Sequence, residues 1–182
     1  MTDVDSRDVR SGAVDEQGIK KLAEMTITMD GRPLTIYDPP TATMPQIRAM
    51  AKMIKGMGGL ELLCVDYIGL VTPRDRRSQR TEQVSEIVGS LKRLAKELEV
   101  PVLALNQLNR QADNAEPRLS HLALSGSVEQ DADIVIFLHR ENQNSNDFKM
   151  IVAKHRHGET GAMTMQFDPS STSFGINNEW KP

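Results

Sequence analysis

The stretch Leu60–Val71, LELLCVDYIGLV, is a near-continuous apolar run after Glu61, with one acid, Asp66, inside it. Runs of this kind suit a parallel strand buried on both faces, because such a strand has no solvent side to fill with polar residues. Working outward, Val71–Arg80 is a polar loop carrying Arg74, Arg76, Arg77 and Arg80. Thr81–Leu98 follows, with Val84, Ile87, Val88, Leu91, Leu94, Ala95 and Leu98 at helical spacing, which predicts an amphipathic helix. Val100–Leu105 and Ala132–Leu138 read as two more buried strands, separated by a polar connection from Asn109 to Asp131. Strand, helix and strand in this order, with apolar strands, predict an α/β domain on a largely parallel sheet.

Upstream, the first 18 residues are polar and broken by Gly12 and Gly18, and read as a loosely held arm. Ile19, Leu22 and Ala23 predict a short helix that ends before Asp30-Gly31. Leu34–Asp38 alternates and is rich in β-formers, so a strand is expected there, closed by Pro39-Pro40. Thr43 with Gln46 three residues later is a capping-box pattern. Ile47, Met50, Ala51, Ile54 and Met57 then form one helical face, ended by Gly58-Gly59. Downstream, Met150–Ala153, Met163–Phe167 and the region of Phe174 read as strands, with Asp168-Pro169-Ser170 as a turn. The expected organisation is an arm over 1–18, a folded part over 19–176 and a tail over 177–182.

Composition narrows the function. The 182 residues carry 22 Lys and Arg against 25 Asp and Glu, a net charge of −3, so any affinity for nucleic acid must be local. Aromatics are only 4%, which leaves the core to aliphatic side chains and ten Met. The single Cys64 excludes a disulfide framework and a cysteine-rich metal site, and fits a reducing compartment. No apolar stretch is long enough to span a membrane, and the polar N-terminus is unlike a secretory signal. A cytoplasmic location is the expectation.

A few residues stand where chemistry happens. Asp66 closes a buried strand, at the edge where open α/β sheets bind ligands. It could hold Mg²⁺ through water or simply cap the next segment. Asn106 and Gln107 occupy the same position on the next strand; a glutamine there can orient water or sense a phosphate, or be a solvated loop amide. Lys154 and Arg156 are two apart on an expected strand and so share a face beside Gly158, as a phosphoryl clamp or as edge charges. His155 and His157 alternate with them but have no third ligand in register. Four arginines within Arg74–Arg80 suit a phosphate backbone, or form a flexible charged loop. No GxxxxGK[ST] and no GxGxxG occurs in the 182 residues.

Four ordered segments together resemble the C-terminal motor domain of DnaB-type replicative DNA helicases. LLCVDYIGLV (62–71) resembles that family's Walker-B strand, and EIVGSLKRLAKELEVPVLALNQLNR (86–110) its signature helix, strand and glutamine motif. SGSVEQDADIVIFLHRE (125–141) resembles the DNA-loop and strand motif, and KHRHGETG (154–161) the KxRxG arginine-finger segment. The resemblance implies a RecA-like P-loop NTPase fold, a mostly parallel sheet flanked by helices, lacking its N-terminal side. The family's Walker-A loop and water-activating acid precede the matched segments, so this chain alone is expected to hydrolyse no ATP.

The resemblance also implies roles. Asp66 would be the Mg²⁺-linked acid and Gln107 the γ-phosphate sensor, with Lys154 and Arg156 reaching a neighbouring subunit's ATP. Arg74, Arg76, Arg77, Arg80, Arg110, Ser125 and Gly126 would line a channel for single-stranded DNA. The implied activity is ATP-dependent unwinding of duplex DNA at the replication fork by a hexameric ring, with ATP and Mg²⁺ as cofactors. Other helicase subunits, a loader or a primase are the implied partners. Ala123-Leu124 stands where the family usually carries an Arg-Glu pair, which removes a channel charge, and His157 stands where it usually has Asn. Two other readings are a non-catalytic ring partner donating its finger in trans, and a non-functional truncation.

Overall fold

The computed structural model describes residues 4–108, 116–122, 126–140, 142 and 145–176. They fall into two units. One comprises Met1–Thr35, Ile136–Val152 and Gly158–Pro182, the other Ile36–Val135 and Ala153–His157. Arg110, Ser125 and the tail over 177–182 lie outside the described residues.

In the first unit the polar N-terminal stretch is helical. Helix α1 spans Ser6–Ser11 and α2 spans Glu16–Met29. Two of its acids, Asp5 and Asp15, are helix caps. The Asp5 carboxylate accepts from Arg7 N–H, and Asp15 accepts from Gly18 N–H at 2.7 Å. Such caps satisfy backbone donors that a helix start leaves open. Gly18 sits inside α2 rather than breaking it. A Cβ there would meet Val14 Cγ1 at 2.5 Å, so the position needs glycine for close approach.

Leu34–Asp38 is irregular, not a strand, and Ile36 is 83% exposed. Alternation marks two faces but supplies no ladder partner, and Pro33, Pro39 and Pro40 remove donors around it. The chain then reaches β5 (Ile134–His139), β6 (Asp147–His155), β7 (Gly161–Asp168) and β8 (Ser173–Ile176), which form one sheet in that order. Both β6–β7 and β7–β8 are antiparallel, so an antiparallel meander follows the parallel pairs found earlier in the chain. Phe148, Phe167 and Phe174 meet at centroid distances of 4.9 to 5.7 Å, near the optimum for tilted aromatic pairs. The turn after β7 is locked by the Asp168 carboxylate, which accepts from Ser170 N–H and from the Ser170 and Ser171 hydroxyls. These hydrogen bonds pull its pKa down to about 2. Ser6 N–H donates to Ser170 O at 2.8 Å, tying α1 to this turn.

In the second unit, β1 (Ala42–Thr43) pairs in parallel with β3 (Val71–Thr72), and β2 (Leu63–Val65) with β4 (Val102–Ala104). Helix α3 spans Met44–Gly56 and α4 spans Arg80–Leu98. The capping box is present: Gln46 Oε1 accepts from Thr43 N–H at 2.9 Å and from its hydroxyl at 2.8 Å. Gly58, at φ +119°, carries the chain out of α3. Helix α4 follows its sequence stripe closely. Val84, Ile87, Leu91 and Leu94 are buried, Glu82 lies in the first turn and Lys96 in the last, each favourable to the helix dipole. Pro101 prevents its continuation. Ile47 and Ala51 of α3, Val65 of β2 and Val100 complete this core.

The strands read as buried on both faces are covered on one. In β5, Val135 and Phe137 are buried while Ile134, Ile136 and Leu138 are 50%, 50% and 53% exposed. Leu103 of β4 is likewise half exposed. Side chains alternate across a strand, and among the described residues only one face has a layer packed on it.

Candidate functional site

The residues singled out from sequence that the structure describes all belong to the second unit. Strand β2 ends at Val65, paired with Ala104 of β4, so Asp66 and the segment Leu105-Asn106-Gln107 leave the same end of two parallel strands. Two backbone bonds extend the ladder past the strand ends: Leu105 N–H donates to Val65 O at 3.0 Å, and Ile68 N–H to Leu105 O at 2.9 Å. Asp66 and Gln107 are both exposed, and the Asp66–Tyr67 peptide is cis. Beside them Asn106 Nδ2 is buried without a hydrogen-bond partner. Sequence reasoning paired Asn106 with Gln107 but gave it no role of its own.

The loop Pro73–Gln79 joins β3 to α4 and presents its arginines unequally. Arg76 and Arg77 are exposed in a turn that Asp75 holds, its carboxylate accepting from Arg77 N–H at 2.8 Å. Arg80, at the start of α4, is also exposed but tied back, its guanidinium donating to Gly69 O at 3.2 Å. Arg74 lines a groove between α3 and α4 with Arg48, Lys52 and Arg93. In that groove Glu97 pairs with Arg48 and Lys52, and those two cations hold its carboxyl below the ordinary range.

Helix α5, Gly126–Asp131, packs on α4. Gly89 of α4 faces the end of α5: a Cβ there would lie 3.5 Å from Asp131 Oδ2, an ordinary contact distance. Lys154, near the end of β6, and Arg156, just beyond it, converge on the last turn of α5. The Lys154 ammonium donates to Glu129 O and, at 2.7 Å, to Ala132 O. The Arg156 guanidinium donates to Gln130 O at 3.0 Å and pairs with Asp133, which also binds Lys92 of α4. Lys92 above all, with Arg156 and His157 adding charge, lowers the Asp133 carboxyl below its usual value. The shared face read from sequence is thus present, and it is directed at helix carbonyls whose unsatisfied lone pairs attract cations. Among the described residues no group of three or more His, Cys, Asp or Glu side chains could hold a metal, and no helix is long and apolar enough to cross a membrane.

With this geometry in place, comparison with known proteins is decisive. The family model for the DnaB-like helicase C terminal domain matches residues 1–176. The chain belongs to that family. The replicative DNA helicase DnaB of Leifsonia xyli subsp. xyli is 41% identical over 175 residues, covering 91% of this chain and 38% of that protein. DnaB of Mycobacterium leprae is 42% identical over 167 residues, covering 87% and 28% respectively. This DnaB-like chain therefore spans well under half the length of those relatives. Two solved structures, described as "ATPase Domain of G40P" and "The Structure Of A DnaB-Like Replicative Helicase And Its Interactions With Primase", each superpose with a TM-score of 0.87 at 31% identity. Both cover 97% of this chain, and 66% and 45% of the respective solved chains. The fold is RecA-like α/β, as the resemblance implied. Within this DnaB-like domain, Asp66 and Gln107 follow the same ends of two paired strands, while Lys154 and Arg156 gather separately at the end of α5.

Proposed function

We propose that this chain is part of a replicative DNA helicase motor, coupling ATP hydrolysis to unwinding of duplex DNA in a ring of six subunits. The observation that carries the nucleotide reading is the strand edge where Asp66 and Gln107 emerge together from register-paired parallel strands. A ligand at such an edge meets groups from two strands at once. The Asp66 carboxylate is exposed and has no ion-pair or hydrogen-bond partner among the described residues, which suits a carboxylate that holds Mg²⁺ through water. Mg²⁺-bound ATP supplies the phosphoanhydride bond and the neutralising charge when present. Gln107 would sense the terminal phosphate, and Asn106 Nδ2 offers a second donor beside it.

Lys154 and Arg156 would serve a neighbouring subunit's nucleotide after leaving the carbonyls of α5. Arg76 and Arg77 would contact the phosphates of single-stranded DNA, with Arg74, Arg80, Arg110, Ser125 and Gly126 as further channel positions. Partners are other helicase subunits and a primase or loader; one structural relative is described in terms of its interactions with primase. The work would be done in the cytoplasm.

The test mixes this chain with a family member that has an intact P-loop but substituted finger cations, and follows DNA-stimulated ATP turnover. Arginine fingers are worth ~10³–10⁵ in rate. The wild-type chain should restore turnover and Arg156→Ala should not. Equal rescue by both would refute the finger role, and absence of any rescue by the wild type would refute the ring assignment.

A further inference from the structure

Gln83 is the one buried polar side chain of the core among the described residues, 8% exposed on the first turn of α4. Its amide nitrogen faces three carbonyls of the preceding loop: Ser78 O at 2.9 Å, Arg76 O at 3.3 Å and Asp75 O at 3.4 Å. A primary amide has two hydrogens, so the three acceptors share them. Gathering these carbonyls inward fixes the turn from behind, while Arg76 and Arg77 stay exposed on it. Two further ties act within the loop itself. Asp75 accepts from Arg77 N–H, and the Ser78 hydroxyl donates to Asp75 O at 3.0 Å. Gln83 is the tie that anchors the loop to a rigid element, because α4 is packed through Val84 and Ile87, which follow it in the helix.

We propose that Gln83 is a positioning residue that preorganises the Arg74–Arg80 loop for phosphate contact. Affinity for a single strand is thereby set partly by an amide that touches no phosphate. The inference rests on the reading above that this loop meets nucleic acid. Arginines on a floating loop must lose their freedom when they bind, whereas a loop already gathered on a buried amide has lost it in folding. An apolar residue at position 83 would fill the same space and remove the Gln83 donor from all three carbonyls, leaving Asp75 O only the Ser78 hydroxyl.

The experiment measures fluorescence anisotropy of a labelled oligothymidylate with the full chain across a salt series, for wild type, Gln83→Met and Arg76→Ala/Arg77→Ala. Gln83→Met should weaken binding about 3- to 10-fold, the range expected for lost preorganisation. The log–log salt slope should stay unchanged, because every arginine is still present. The double arginine variant should weaken binding and reduce the slope by about 1.4, two contacts at ~0.7 each on a single strand. Limited trypsin cleavage after Arg76 and Arg77, scaled to cleavage after exposed Arg32, reads loop order directly and should accelerate in Gln83→Met. Gln83→Asn, an amide one methylene too short, replaces it if the Met variant lacks wild-type circular dichroism. Wild-type affinity, a lowered slope or unaltered cleavage in the Gln83 variants would overturn the proposal. Binding indifferent to the double arginine change would instead overturn the nucleic-acid reading on which it stands.

Discussion

Replacing Lys154 by Met keeps most of the aliphatic stem and deletes the ammonium that holds the last turn of α5. The magnitude follows from what is lost. Two carbonyls, Glu129 O and Ala132 O, share the Nζ donors. Hydrogen bonds to charged groups contribute ~1.5–3 kcal/mol each when buried. Glu129 is exposed and Lys154 only half-buried, so water recovers much of that loss. Arg156 still donates to Gln130 O and holds one carbonyl of the turn. A net cost of about 1–2 kcal/mol results, using the low end of that range for one bond and little for the other. For a chain of this size each kcal/mol shifts Tm by roughly 2–4 °C, so a fall of about 2–8 °C is expected. Urea unfolding should show a lower midpoint with an unchanged m-value. Amide exchange in the turn following α5, which the same cation holds, should quicken more than exchange in the middle of α4. An unchanged midpoint together with unchanged exchange there would refute the reasoning and leave the carbonyl contacts without energetic meaning.

Ile87→Ala removes one of the two most deeply buried side chains, so a loss of about 2–5 kcal/mol is expected in denaturant unfolding. A loss below ~1 kcal/mol would show that α4 can collapse into the space. Asp168→Asn probes acid stability. The folded carboxyl is depressed from 3.8 to about 2, so its contribution is present above the ordinary value and lost as pH falls toward 2. The variant should therefore be less stable than wild type near neutrality, and the difference should shrink between pH 3.8 and 2. A difference independent of pH across that window would assign the effect to packing.

The legible parts of the fold were those with one dominant local signal. Helix α4 was readable because its apolar stripe repeats at helical spacing from Val84 to Leu98, and it starts within one residue of expectation. The capping box at Thr43 was readable for the same reason. What escaped was set by partners that residue spacing does not reveal. The alternation of Leu34–Asp38 carries no information about whether a ladder neighbour exists. The acids near the N-terminus read as solvation because a cap and a surface charge look alike until the following residues turn helical. At the site, the positions of Asp66 and Gln107 followed from strand ends alone. The engagement of Lys154 and Arg156 with α5 did not, because spacing gives a common face but not the group it faces. Gln83 was hidden for a related reason: it lies beside the apolar stripe and looks in sequence like any polar helix residue.

The side of β5 that no described residue covers has a practical consequence. Ile134, Ile136 and Leu138 stand at every second position with no polar residue between them on that side. A strand meant to face water would carry Thr, Lys or Glu there, as strands with one solvated face do. Such a row, rich in β-formers and free of charge and proline, is also the pattern that adheres to copies of itself. The chain in isolation therefore carries its own concentration ceiling. That ceiling is written into three side chains, and a single Ile136→Lys change should raise it.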